Sequence, residues 1–204
     1  MPALRLLTGL VMLLPGIMPV GAVAQNADRV TVARVDFRPV RLPLAPQREW
    51  IEIMVELEAR PADGAAGQVT GRMRVTLELS FEFTPEGAER RFEFYRTSAE
   101  VVGFMAGRNA VRFYLPPERV RRDALRGAPK YWRVLAAPEV SVPALPAERF
   151  SETLADATVR RSFEQRVSGG AAKNHGVLLP QYLTPFAGEY PENTPTYTRV
   201  EAGR

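Results

Sequence analysis

The chain of 204 residues has no cysteine and one histidine. Without thiols it has no disulfide to hold the fold, no thiolate nucleophile and no sulfur-based zinc site. A single imidazole, His175, rules out metal sites that need a histidine pair. A Ser–His–Asp triad would have to use His175, yet no G-x-S-x-G turn surrounds any serine. In "KNHGV" (173–177) this histidine precedes a glycine, where a turn or surface role is expected. Phosphate-binding glycine loops, EF-hand loops and metalloprotease helices are absent. The carboxylates alternate along candidate strands, as Glu52, Glu56 and Glu58 do, which is the pattern of a solvated sheet face. No catalytic, metal or cofactor-binding residue is expected, and the chain reads as non-enzymatic.

Lysine is also scarce, since Lys130 and Lys173 are the only two. Long apolar runs are limited to one, Leu6 to Val20, which follows Arg5 and leads into "GAVAQ". That is the pattern of a secretory signal peptide spanning 1–24, with an A-x-A cleavage site and a mature start at Gln25. The run is shorter than the roughly 20 residues of a spanning helix, and Pro15, Gly16 and Pro19 interrupt it. No later stretch qualifies, so no transmembrane segment is expected after cleavage. The expected location is the periplasm or outer cell envelope. Of 27 basic residues, Arg5 leaves with the signal, so 26 face 23 acidic ones, a net charge of +3. That excess is too mild to argue for a nucleic-acid partner.

What is present is alternation. "RVTVARVDFRP" opens with a strand carrying Val30, Val32 and Phe37. "EWIEIMVELEAR" sets Ile51, Ile53, Val55 and Leu57 against Glu52, Met54, Glu56 and Glu58. "RMRVTLELSFEF" is the strongest signal, with Met73, Val75, Leu77, Leu79, Phe81 and Phe83 on one face. Those six side chains are worth on the order of 10 kcal/mol of gross burial. A one-residue slip would bury Glu78 and Glu82, so the register is fixed. The turn "TPEGAE" (84–89) leads into a return strand with Phe92 and Phe94 inward. Two further short strands follow in "SAEVVGFMAGRNAVRFYLP", with Phe113 facing inward.

"PPERVRRDALRGAP" breaks the rhythm and predicts a short helix over 117–126, opened by prolines and closed by Gly127 and Pro129. Glu118 is placed to pair with Arg122. A strand in "KYWRVLA" follows, and residues 149–167 form a second helix candidate whose apolar residues fall in two stripes. The fold class is mainly β: an immunoglobulin-like antiparallel β-sandwich with one short inserted helix, a C-terminal helix and an extended C-terminal arm. A closed barrel is the alternative. The sandwich is assigned to 25–146, and the helix and proline-broken arm to 147–204, packed on it.

Two groups are candidate partner contacts. On the predicted helix, Arg119, Arg122 and Arg126 share a face, read as a solvated surface or as a contact for an acidic partner. In "GVLLPQYLTPF", Leu178, Leu179, Tyr182, Leu183 and Phe186 either cover an open sandwich edge or add to a partner's sheet, with docking on their own domain as the default.

"RFEFYRTSAEVVGFMAGRNAVRFYLPPERVRRDALRGAPKYWRV" and "SFEQRV…NHGVLLPQYLTPF" resemble a verrucomicrobial family of exported proteins encoded beside type IV pilus-like machinery. The marks are Phe94-Tyr95, "FYLPPE" (113–118), Arg122-Asp123 and "LLPQYLTPF" (178–186). The resemblance implies an immunoglobulin-like fold and a structural or accessory role in the envelope. Partners would be envelope or pilus-assembly proteins, or the chain itself. No catalytic residue carries over. The sequence has no prepilin-type Gly-Phe junction, so polymerisation as an ordinary pilin is not expected. A secreted glycan- or peptide-binding module is the competing reading, with Phe92, Phe94, Tyr95, Phe104, Phe113, Tyr114 and Trp132 as groove candidates. A hydrolase ranks last.

Overall fold

The computed structural model describes residues 28–62, 68–83, 89–139 and 146–198. The expected signal peptide and most of the turn at 84–89 lie outside the described residues. The strands are β1 (Arg29–Leu42), β2 (Ala45–Arg60), β3 (Met73–Phe83), β4 (Arg91–Val101), β5 (Gly107–Leu115), β6 (Tyr131–Pro138), β7 (Ala147–Phe150) and β8 (Leu179–Pro180). Two helices, α1 (Pro117–Arg122) and α2 (Ala157–Gly170), complete the regular elements. The strands form two antiparallel sheets, ordered β1-β2-β5-β8 and β4-β3-β6-β7. The chain crosses between sheets from β2 to β3, back from β4 to β5, again from β5 to β6, and back once more from β7 to β8. Strand pairs β2/β5 and β3/β6 therefore lie side by side in opposite sheets, the Greek-key order of an immunoglobulin-like sandwich.

The inner face of β3 is as read, with Met73, Val75, Leu77, Leu79 and Phe81 buried between the sheets and Phe83 half-buried at the strand end. Its outer face is not solvated, since Thr76, Glu78 and Ser80 are buried as well. Across from the inner face, β2 contributes Ile51, Ile53, Val55, Leu57 and Ala59. Both are central strands, so their inward residues, Phe81 apart, are flanked on two sides by paired neighbours. In the register of β3, Leu79 faces Tyr95 on one side and Trp132 on the other.

That register corrects one expectation. Tyr95, Ala99 and Val101 are the inward residues of β4, so Phe92 and Phe94 point outward. Phe94 is covered there by α2, in a second apolar cluster with Leu154, Phe163, Val167, Tyr131 and Phe150, and Phe92 lies beside it against Tyr131. The fit is close: a Cβ at Gly170, the last residue of α2, would lie 2.8 Å from the Phe94 ring. β4 is also one eleven-residue strand, where a break was expected after Arg96.

The two helices differ from their predicted spans. α1 ends at Arg122, not Arg126, because the chain turns at Ala124 (φ +48°) and drives Leu125 into the core. Glu118 reaches Arg48 (3.5 Å) instead of Arg122. Within 149–167, the first apolar stripe is not helical: Phe150 belongs to β7 and Leu154 to a 3-10 turn. α2 begins after Asp156, whose carboxylate accepts from the N–H groups of Thr158 (2.8 Å) and Val159 (3.0 Å). These backbone bonds hold the Asp156 carboxyl below its usual range. The boundary at residue 146 falls just before β7, which is hydrogen-bonded to β6 as part of the sandwich.

The sandwich has two seams and two poles. One seam is bridged by Arg149, whose Nη1 donates to the carbonyls of Val32 (3.3 Å) and Ala33 (2.6 Å) at a bulge in β1. The other seam is closed by the arm, described below. One pole carries α1, the β1–β2 turn and the starts of β4 and β6. The opposite pole carries the start of β1, the end of β4 and Thr198, whose N–H bonds to Glu100. Among the described residues, no helix is long and apolar enough to cross a membrane.

Candidate functional site

The arm packs on its own domain. Leu179 and Pro180 pair with Tyr114 and Phe113 on the free edge of β5. The chain then turns over the outer face of the first sheet, where Phe186 stacks on Tyr114 (centroids 4.6 Å apart, 7° between planes) and meets Trp50 edge-on at 5.6 Å. Farther on, Tyr190 lies beneath the Arg112 guanidinium at 4.3 Å. Arg112 also donates to Asn193 (3.3 Å) and Thr194 (3.2 Å). Finally Tyr197 reaches the end of β4, with Val102 N–H bonded to the Thr196 carbonyl. Burial pushes the Tyr197 phenol up to about 12.

This covering changes the reading of Glu52. Alternation assigned it to a solvated face, yet it is completely buried. Arg38 Nε (2.7 Å) and Tyr114 OH (2.9 Å) donate to its two oxygens. Burial, with the Glu52 carboxylate beside it, pushes the Tyr114 phenol far up. Of the arm residues named as contacts, Leu178 and Phe186 are committed to the chain's own interior. Leu179 and Tyr182 are half-buried, and Leu183 is 59% exposed.

The arginines separate. Asp123 ends α1 and collects Arg119 (3.2 Å), Arg122 (2.6 and 2.9 Å) and the Tyr95 hydroxyl (3.3 Å). The Arg122 guanidinium is pushed up by that bond. Arg126 lies past the helix and shares no helical face with them. It lines three recesses of the α1 pole instead. The largest, about 690 Å³, has Phe81, Phe83, Leu125 and Ala128 on its apolar side and Glu82, Arg122, Asp123, Arg126 and Lys130 on its polar side. The second, about 440 Å³, lies across α1 and includes Arg48, Glu49, Glu118 and Arg121. A third, about 130 Å³, runs under Phe37 and Pro39. Arg48, Glu82 and Lys130 were missed in sequence. They are far apart in the chain, and only the Greek-key crossing brings them to one pole.

His175 is exposed, in the turn that ends at Gly176 (φ +73°). Its neighbour Asn174 is the structural residue, donating to Glu93 (2.8 Å) and the Phe94 carbonyl (2.9 Å). Among the described residues, no group of three His, Asp or Glu side chains is placed to hold a metal ion.

No family model matches the chain, and no curated protein matches it. Among solved structures, a crystal structure from the verrucomicrobium Akkermansia muciniphila is similar, with a TM-score of 0.68 and 15% identity. The match covers 87% of this chain and 96% of that one. At this identity the likeness bears on the fold, a mostly β sandwich of two four-stranded sheets.

Proposed function

We propose that this chain is a non-enzymatic, exported contact module of the cell envelope, working through protein–protein contacts within a type IV pilus-like system. The observation that carries this reading is where the resemblance motifs meet. "FYLPPE" supplies the end of β5 and the start of α1; "LLPQYLTPF" supplies β8 and Phe186. Phe113 pairs with Pro180, Tyr114 with Leu179, and Tyr114 stacks on Phe186. The two motifs are one buttress under the α1 pole, a scaffold holding a surface in place. The arm and α2 each cover part of an outer sheet face, which favours contact at the poles. Leu44, at the tip of the β1–β2 turn on the α1 pole, is 99% exposed.

The test is affinity purification of the tagged chain after crosslinking in the native host. Enrichment of envelope or pilus-assembly proteins is expected; recovery of the chain without any protein partner would sink the reading. A second reading, a ligand-binding module, draws on a groove of about 220 Å³ between α2 and β4. Phe92, Phe94, Tyr131 and Phe163 line it, with Thr158, Ser162 and Arg166 completing the lining. Binding on a glycan array that Phe92→Ala abolishes would favour that reading.

A further inference from the structure

We infer that the recesses of the α1 pole receive an acidic, apolar-anchored segment of a partner protein, an inference that rests on the contact-module reading above. Four carboxylates of this pole already have cationic partners. Asp123 is paired with both Arg119 and Arg122. Glu82 is paired with both Arg90 (2.8 Å) and Lys130 (2.6 Å), and the Lys130 bond holds its carboxyl below the usual range. Across α1, Glu118 has Arg48 and Glu49 has Arg41. Arg121 and Arg126 make no ion pair among the described residues. Arg91, Glu89 and Glu93 lie at the start of β4, and Glu93 also acts on Arg122. Nine cations therefore face six carboxylates among the described residues, an excess of three positive charges at one pole. Without the expected signal peptide and its Arg5 the sequence carries only +3, so the rest of the molecule is close to neutral. The net charge of this protein is concentrated where its recesses are.

The lining chooses among anionic partners. A sugar polymer is held by amide, hydroxyl and indole groups that match its hydroxyls and ring faces. Among the residues lining the two larger recesses, Gln47 is the one amide, and there is no indole and no hydroxyl side chain. What they offer is guanidinium and ammonium groups around Phe81, Phe83, Val120 and Leu125. Guanidinium forks match carboxylates, and the apolar side matches a Leu or Phe side chain. A membrane surface is disfavoured because the apolar groups line hollows, which a flat bilayer cannot enter. The chemistry that fits is a peptide with Asp or Glu flanking a large apolar residue.

The probe is a fluorescein-labelled twelve-residue peptide of alternating Glu and Leu. Its controls are the same peptide with every Glu replaced by Gln, an oligogalacturonate, and phosphatidylglycerol vesicles. Fluorescence anisotropy on the full exported chain should show binding of the Glu peptide that weakens as salt rises. The double variant Arg121→Glu/Arg126→Glu should weaken it at least tenfold. Arg161→Glu, an exposed change on α2, should leave it unchanged. Both variants alter exposed side chains without described ion pairs, and circular dichroism confirms folding. Binding of the Gln peptide as tight as that of the Glu peptide would overturn the inference. So would equal loss in Arg161→Glu, or preference for the oligogalacturonate or the vesicles. Crosslinked envelope partners that persist undiminished in the double variant would overturn this inference while leaving the contact-module reading intact.

Discussion

Each sheet buries a carboxylate on the outer side of its central strand, and the two are held in different ways. On β2, Glu52 lies under an irregular arm and receives a hydrogen bond at each oxygen, from Arg38 and Tyr114. On β3, Glu78 lies on the α2-covered face. Its ion pairs are longer, 3.3 Å to Arg96 and 3.6 Å to Arg133, and Oε2 has no hydrogen bond. Arg133 is shared with Glu148 and Glu164. Burial raises the Glu78 carboxyl above its ordinary value despite the two arginines. A regular helix covers its sheet with apolar side chains at fixed spacing and tolerates a poorly matched charge beneath. An arm without regular structure depends on specific polar and aromatic contacts, so its charge has to be matched.

The largest effect should come from removing one cover outright. Truncation after Gly176 deletes the arm, including the buried Leu178 and Phe186, and opens the β5 edge. Even half-burial of its five large apolar side chains represents several kcal/mol at about 25 cal/mol per Å², against roughly 5–15 kcal/mol for a whole domain. Thermal melts should show a much lower transition, with exposed apolar surface detected by dye binding. A truncated chain that melts normally but loses a larger species in light scattering would reassign the arm to a partner.

Single truncations sharpen the contrast. Phe186→Ala and Phe163→Ala should each cost about 3 kcal/mol in urea titration, as for buried Phe truncations elsewhere. They should differ spectroscopically. Trp50 contacts Phe186, so its emission should shift to the red only in the arm variant. Equal shifts would mean that the covers are not independent.

The carboxylates come next. Glu52→Gln should destabilise by about 2 kcal/mol at neutral pH, the range for hydrogen bonds to a charged group. Glu78→Gln should lie within about 0.5 kcal/mol of the parent, because the lost ion pairs are offset by the burial cost removed. The pH dependence separates them further. A carboxyl raised in the folded state binds its proton more tightly there than in the unfolded chain. Glu78 therefore lowers stability as pH rises from the ordinary glutamate value through its raised one. Equilibrium unfolding across mildly acidic pH should show that decline in the parent and not in Glu78→Gln. A destabilised Glu78→Gln at neutral pH would contradict this account.

The smallest effect concerns the helix end. Asp156→Ala removes the cap of α2 and should lower the melting temperature slightly at neutral pH. Its folded carboxyl is depressed, so the cap's contribution is complete above the unfolded value and is lost as pH falls through the folded one. Parent and variant should therefore converge in acid; a gap that persists there would show that the cap does not act through its charge.

How far the sequence could be read depended on what covers each strand. On β3 the inner face is a run of large apolar residues and the outer face is polar, so period two identified the core correctly. On β4 the inner residues are Tyr95, Thr97, Ala99 and Val101, while the outer face starts with Phe92 and Phe94. A strand covered on both sides has two apolar phases, and the bulkier one misled. Glu52 failed for the same reason, because no local pattern announces that residues some 130 positions later will lie on it. The α1 pole was partly legible. The arginines were visible as a group, but the predicted helical face did not form, since burial of Leu125 outweighs continuing the helix. Arg48, Lys130 and Glu82 join Arg126 only through tertiary topology.

The positions of Arg29 and Thr198 at one pole have a mechanical consequence. If both are held and pulled apart, tension peels β1 from β2 and lifts the arm from β4 one contact at a time, so resistance is low. If the load instead runs from Arg29 to a partner gripping the α1 pole, it acts along the strands. The β1–β2 hydrogen bonds, from Arg29–Arg60 to Leu42–Ala45, then share the force in shear and must yield together. The same molecule is weak when stretched by its ends and strong when it bridges an anchor and a partner at the α1 pole, and single-molecule pulling in the two geometries would measure the ratio.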